Sequence, residues 1–166
     1  MSLSVTNSLS IRVYYHDYPK LITGSTRRSS NVGTLSMADS SALRNAIRKL
    51  QDYKFDDNPE SQNQEKLKAF TDIVNNTISS ATKYGTNDSS VKNAASTIKK
   101  LNAEYEKELN HLGISVNKDG TLDISDSAAK NIKTEKFSKF FSKDSKYLNS
   151  LYDAAKKITR KVDVRI

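Results

Sequence analysis

The sequence predicts a mainly α fold: an antiparallel helical bundle or coiled-coil-like helix pair carrying a small β-hairpin, with short strands at the chain's ends. Three observations predict it. Apolar residues recur every three to four positions over most of residues 40–161. Capping and breaking residues punctuate that rhythm at regular intervals. One stretch, 114–124, instead alternates with period two about an Asn117-Lys118-Asp119-Gly120 turn.

Residues 1–37 read differently from the rest and form an N-terminal arm, flexible or strand-containing. Leu9, Ile11, Val13 and Tyr15 alternate with Ser10, Arg12 and Tyr14, which predicts a short strand. Pro19 interrupts it, and 23–36 is a Ser/Thr/Gly/Asn tract containing Arg27-Arg28. Such a tract offers too little apolar surface to offset its ordering entropy, which predicts a mobile segment.

Residues 38–166 are expected to form the helical domain. A first helix, about 40–54, is capped by Asp39 or Ser40 and presents Leu43, Ala46, Ile47 and Leu50 on one face. Asn58-Pro59 opens a second helix, about 59–83, as a capping residue followed by Pro at the first helical position. Its apolar stripe is Leu67, Phe70, Val74, Ile78 and Ala81, and Gly85 is expected to end it in the left-handed conformation. A third helix, about 90–112, capped by Ser89 or Ser90, carries Val91, Ala94, Ala95, Ile98, Leu101, Tyr105, Leu109 and Leu112 up to Gly113. The hairpin follows, then a short helix capped by Ser125 or Ser127 and another carrying Phe137, Phe140 and Phe141. A fourth long helix, about 144–161, carries Leu148, Leu151, Tyr152, Ala155 and Ile158. Val162, Val164 and Ile166 alternate again, as a strand able to pair with 9–15 would.

Composition narrows the function classes. The chain has no Cys, so it has no disulfide framework, thiolate nucleophile or cysteine metal site. A hydrophobic fraction of 36% demands that apolar residues sit on organised faces if the chain is to build a core. No apolar run approaches the ~18 residues that span a bilayer, so no membrane span is expected. Met1 to Ser10 lacks the basic and apolar regions of a Sec signal, so any export would follow another route. The net charge of +8 is unevenly placed: residues 1–37 carry +3, 38–129 carry −2 and 130–166 carry +7.

Catalytic candidates are few. His16 lies in the N-terminal arm, and His111 suits a cation near a helix C-terminus. Neither has a nucleophile or further ligands at the spacing that a triad or zinc site needs. With five glycines, no phosphate-cradling loop is visible. No enzymatic activity and no cofactor or metal are therefore expected. The hairpin does have the outline of a calcium loop, with Asn117, Asp119, Gly120, Asp123 and Asp126 at the third, fifth, sixth, ninth and twelfth positions. Ser115 at the first position and the short Asp126 at the twelfth depart from that pattern, and Ile114 and Val116 favour a strand. A Ca²⁺-binding module is one alternative. Another is a small basic nucleic-acid-associated protein, because Lys130, Lys133, Lys136, Lys139, Lys143 and Lys146 would line up on a continuous helix. Lysines so spaced also suit a solvated face, and no helix-turn-helix or RNA-binding signature accompanies them. Exposure of Tyr147 or Tyr152 beside those lysines would favour the nucleic-acid alternative.

The stretch from Leu67 to Phe141 resembles a known family. The second helix contains Ala69-Phe70-Thr71-Asp72-Ile73-Val74-Asn75-Asn76, and the third ends at Leu112-Gly113-Ile114. Lys118-Asp119-Gly120-Thr121-Leu122 follows, and Phe140-Phe141 closes the segment. This order is similar to the C-terminal helical part of the flagellar filament cap protein, hook-associated protein 2. The chain is too short for a whole cap protein, lacks its large β-rich middle domains and carries an N-terminal arm that does not align, so the resemblance implies a reduced relative. It further implies a non-enzymatic structural protein, a flagellum-related axial or cap-like component acting through helix–helix packing. The partner would be a second copy or another axial protein. The location would be the bacterial flagellum or the exterior by type III-like export, and otherwise the cytoplasm. On that reading Leu43, Ile47, Leu50, Leu151, Ile158 and Val162 are the candidate partner-packing residues. The same residues would equally serve as the core of a single subunit, since any helical stripe must be buried somewhere.

Overall fold

The computed structural model describes residues 9–22, 24–129 and 132–164. Four long helices make the frame: α3 (Val32–Asp52), α4 (Glu60–Tyr84), α5 (Ser89–Glu104) and α9 (Lys146–Lys161). In the chain order α1 (Leu9–Tyr14) and α2 (Gly24–Ser29) precede them. Helix α6 (Glu106–Asn110), strands β1 (Ile114–Val116) and β2 (Leu122–Ile124), α7 (Asp126–Ala129) and α8 (Thr134–Phe140) lie between α5 and α9. The fold is mainly helical with a small two-stranded antiparallel sheet, as the sequence predicts.

Helix α3 packs on α4 and α9, and α5 packs on the same two, so the long helices close a four-membered ring. Its interior is filled by the stripes visible in the sequence: Leu43, Ile47 and Leu50 from α3, and Leu67, Phe70, Val74 and Ile78 from α4. Val91, Ala95 and Ile98 from α5 and Leu148, Leu151, Ala155 and Ile158 from α9 complete it. Side-chain caps start three of these helices. Asn31 accepts from the Thr34 amide at 2.7 Å, Asp88 from Val91 at 3.0 Å and Ser145 from Leu148 at 3.2 Å.

Several local expectations are corrected. Residues 9–14 form a helix, not a strand: Ile11, Tyr14 and Tyr15 are buried at the i, i+3, i+4 spacing that a helix presents, and α1 packs on α4 and α3. The Glu65 carboxylate of α4 caps α1 from outside, accepting from both the backbone N–H and the hydroxyl of Ser10. The Ser/Thr/Gly/Asn tract is ordered as α2 and the first turns of α3, and Thr23 lies outside the described residues. Helix α3 thus begins eight residues earlier than position 40, and Asp39 and Ser40 sit inside it, with the Ser40 hydroxyl donating to the Ser36 carbonyl at 2.6 Å. Asn58 does not cap α4; its amide turns back to the Lys54 carbonyl at 2.7 Å, and Pro59 takes the cap position.

Gly85 ends α4 with φ of −64°, in the right-handed region. It is small for a different reason: a Cβ there would lie 2.7 Å from the Cα of Lys92, where α5 crosses close to the end of α4. The third helix is broken at Tyr105, whose φ and ψ of −100° and 20° separate α5 from α6. Gly113, with φ of 79°, then turns the chain into β1. At the C-terminus Val162 caps α9, the Asp163 amide donates to the Tyr84 hydroxyl at 2.8 Å, and the expected strand does not form among the described residues. Its proposed partner, 9–15, is mostly helical, and Ile166 lies outside the described residues.

The hairpin forms where it is predicted, pairing Ile114 with Ile124 and Val116 with Leu122. It is fastened to the bundle by amides. The Asn75 side chain on α4 donates to the Leu122 carbonyl at 2.7 Å and accepts from the Leu122 N–H at 2.8 Å, as a neighbouring strand would. Buried Asn102 donates to the Gly120 carbonyl at 2.8 Å and accepts from the buried Tyr147 hydroxyl at 2.7 Å. One short network therefore joins α5, the hairpin turn and α9.

Candidate functional site: a groove with an aromatic floor

The break at Tyr105 and the turn between α8 and α9 open a groove of about 610 Å³. Tyr105, Leu112, Phe140 and Tyr147 form its floor, and Glu108, His111, Lys136, Lys139, Asp144 and Lys146 stand around it. The floor is the outer end of a chain of rings. Tyr105 and Phe140 lie 5.3 and 5.5 Å from Tyr147, and Phe140 continues to Phe141 at 5.0 Å. Phe141 reaches Phe55 at 5.5 Å and Phe70 at 5.4 Å in the bundle interior. Tyr147 is fully buried and hydrogen-bonded to Asn102, and burial pushes its phenol well above the ordinary tyrosine range. Tyr105 and Phe140 are half-buried, so a visitor meets two ring surfaces held from behind by packed neighbours.

The C-terminal lysines meet here in a way that differs from the sequence expectation. They do not share one helix, because the chain turns at 141–145 between α8 and α9. Lys136 and Lys139 come from α8 and Lys146 from the first turn of α9, and the three converge on the groove. Lys143 instead pairs with Asp52 at 3.2 Å, Lys133 precedes α8, and Lys130 lies outside the described residues. Among the described residues none of Lys136, Lys139 and Lys146 has an ion-pair partner.

The six candidate packing residues are placed elsewhere. Leu43, Ile47, Leu50, Leu151, Ile158 and Val162 all lie inside the single chain, the most accessible being Val162 at 9%. They form the core of this single chain. Two of the hairpin side chains that suggested a calcium loop, Asn117 and Asp119, are engaged within the turn. Asp119 accepts from the Thr121 amide at 3.0 Å and from its hydroxyl, and Asn117 donates to that hydroxyl at 2.9 Å. Those bonds to Thr121 hold the Asp119 carboxyl below the usual carboxylate range. The side chain of Asp126 lies outside the described set, and among the described residues no three acidic or histidine side chains gather as a metal site. His16 pairs with Asp17 at 3.0 Å on the surface, and His111 reaches the rim of the groove.

Two polar clusters escaped sequence reasoning. Arg27 makes a two-pronged ion pair with fully buried Asp39, at 2.7 and 2.8 Å, and Asp39 also accepts from the Tyr15 hydroxyl at 2.7 Å. Asn76 donates to that hydroxyl at 3.2 Å, so the cluster clamps α1 and α2 to α3 and α4. On the opposite pairing of α3 and α9, Arg48 and Arg44 sit 4.0 and 5.3 Å from the ring centre of Tyr152. Hydrogen bonds from Arg44 and Arg48 pull the Tyr152 phenol below its ordinary value. No periodicity announces either cluster, since both join residues from separate elements.

No family model matches this chain, and neither curated proteins nor solved structures provide a match. No helix among the described residues is long and apolar enough to cross a membrane.

Proposed function

We propose that this protein is a non-enzymatic interaction protein that docks a protein partner in the groove between α6, α8 and α9. The observation that carries the reading is the groove itself: a preformed aromatic floor ringed by three lysines that have no ion-pair partner among the described residues. A concave apolar surface with a few convergent polar groups is the form that binding sites take, and the rings are already positioned, which lowers the ordering cost of binding. The finer reading is a flagellum-related axial or cap-like component, and its support is the resemblance over residues 67–141. The helix, second helix and Lys-Asp-Gly hairpin in that order fold as one unit, with the hairpin pinned to α4 by Asn75. With the six core residues occupied internally, contact between subunits would have to use the groove and outer helix faces.

Two measurements test this. Deletion of the gene in its host is expected to shorten or abolish filaments seen by electron microscopy; filaments of normal number and length would remove the flagellar reading. Light scattering of the purified protein, alone and mixed with axial proteins of the same host, is expected to show a complex that Lys136→Glu with Lys139→Glu weakens. A complex insensitive to those changes would remove the groove from the reading.

A second reading retains nucleic acid, because Lys156, Lys157, Arg160 and Lys161 border a second depression, of about 600 Å³, between α9 and α5. Of the two tyrosines whose exposure would favour it, Tyr147 is buried and Tyr152 is half-buried beneath two arginines. A gel shift at low salt is the test, and an unretarded oligonucleotide would end this reading.

A further inference from the structure

We infer that the occupant of the groove is an acidic peptide segment of a partner protein, carrying one large apolar anchor. The anchor would seat on Tyr105, Leu112 and Phe140, and its flanking carboxylates would meet Lys136, Lys139 and Lys146. This rests on the interaction reading above and names the partner's chemistry.

The floor decides the anchor. Four apolar or aromatic side chains line the groove, and its volume of about 610 Å³ is ample for one large side chain with the backbone on either side of it. An apolar group there gains burial against rings whose own positions are set from behind by Phe141 and Asn102. The rim decides the charge. Three lysines oppose Glu108 and Asp144, an excess of one positive charge. The N-terminal amides of α9, which begin at Lys146, add a positive partial charge of about one half. The lysine stems can lie along an apolar anchor while their ammonium groups reach carboxylates beside it.

The alternatives fit less well. A nucleic-acid backbone needs a track of cations, whereas these lysines surround a single concavity. Among the described residues a second copy offers no apolar anchor set among several carboxylates: its exposed large apolar residues are Leu9 and Val13, close to Arg12, and Val164, between Asp163 and Arg165.

The chain contains no Trp, which allows a clean test. A short synthetic peptide of Glu and Asp around one central Trp is titrated with the full-length protein, and the peptide's fluorescence reports solely on the anchor. A saturable blue shift of the Trp emission is expected, with affinity falling as salt rises. Lys136→Glu with Lys139→Glu is expected to weaken binding by about tenfold or more, in line with the cost of like charges across an interface. Lys156→Glu with Lys157→Glu, outside the groove, is expected to leave it unchanged. Circular dichroism melts confirm that each variant is folded. No blue shift, or equal weakening by both pairs of substitutions, overturns the inference, as does equal competition by a DNA oligonucleotide. If axial proteins bind through the groove while the peptide does not, the acidic-anchor chemistry alone fails. If the peptide binds and no axial partner does, the acidic-peptide assignment stands and the flagellar reading fails.

Discussion

Asp39 shows how much can depend on one carboxylate. It is fully buried, and what makes that tolerable is the fork of Arg27 and the hydroxyl of Tyr15. Asp39→Asn keeps the shape and removes the charge, leaving the Arg27 guanidinium, whose side chain is 19% exposed, without its counter-ion. Breaking a buried pair in this way costs about 3–5 kcal/mol. Tyr15→Phe removes one neutral donor and is expected to cost about 1–2 kcal/mol. Urea unfolding of both variants tests the ranking; equal losses would show that the ion pair does not hold the segment. The tyrosines make a second prediction. Burial raises the phenols of Tyr14, Tyr15 and Tyr147, with the Asp39 charge adding to the effect at Tyr15. A folded pKa above the unfolded value of about 10 means that the stabilisation is complete below that pH and is lost as pH rises beyond it. Stability measured by urea unfolding should therefore fall steadily above pH ~10, and a flat profile there would contradict the burial. Tyr152 has the opposite sign, so Tyr152→Phe should remove the earliest part of the phenolate absorbance titration.

Between elements, the hairpin and the α4–α5 corner are the sensitive joints. Asn75 supplies both halves of a strand-like pairing to Leu122. Asn75→Ala should cost about 1–3 kcal/mol, because it leaves a backbone N–H and carbonyl without partners. Amide hydrogen exchange should then quicken at Leu122, and unchanged exchange would deny the pinning role. Gly85→Ala would bring a methyl to 2.7–2.8 Å from the Lys92 backbone, which can yield only by moving α5. A melting temperature lower by several degrees is expected, corresponding to about 1–3 kcal/mol of overpacking. An unchanged melting temperature would mean that the corner opens freely.

At the scale of the whole molecule, the N-terminal region described here is part of the packed body. Tyr14, Tyr15, Leu21 and Ile22 belong to the same core cluster as the long helices, and the Arg27–Asp39 clamp ties them to α3. Trypsin should therefore spare the Arg27-Arg28 bonds under conditions that digest the urea-unfolded chain, since cleavage requires a locally extended strand. Rapid native cleavage there would restore the mobile arm that composition predicts. The groove also belongs to this scale, because its floor and rim come from α6, α8 and α9, from Tyr105 at the break before α6 and from the turns beside these helices.

The long helices and the hairpin were legible because each is a local pattern repeated many times. Leu67 to Ala81 spells a stripe at helical spacing, and Asn117 to Gly120 spells a turn. Residues 9–15 were not, because Ile11 and Tyr15 fit a period of two with Leu9 and Val13 and a helical period with Tyr14; packing on α3 and α4 and the Glu65 cap chose the helix. Glycine identity signalled Gly85 as a boundary, but the reason, close approach of Lys92, exists only once α5 is in place. Lysine spacing marked the basic segment, yet the turn at 141–145 decided which three lysines meet. By itself, then, the sequence determined a mainly helical chain with one hairpin and a basic C-terminal segment, because periodicity and turn chemistry are local properties. Only the tertiary structure decided that the apolar stripes close on one another within one chain, that Arg27 finds Asp39, and that an aromatic-floored groove opens at Tyr105. Each of these joins residues far apart in sequence, and packing is what selects such contacts.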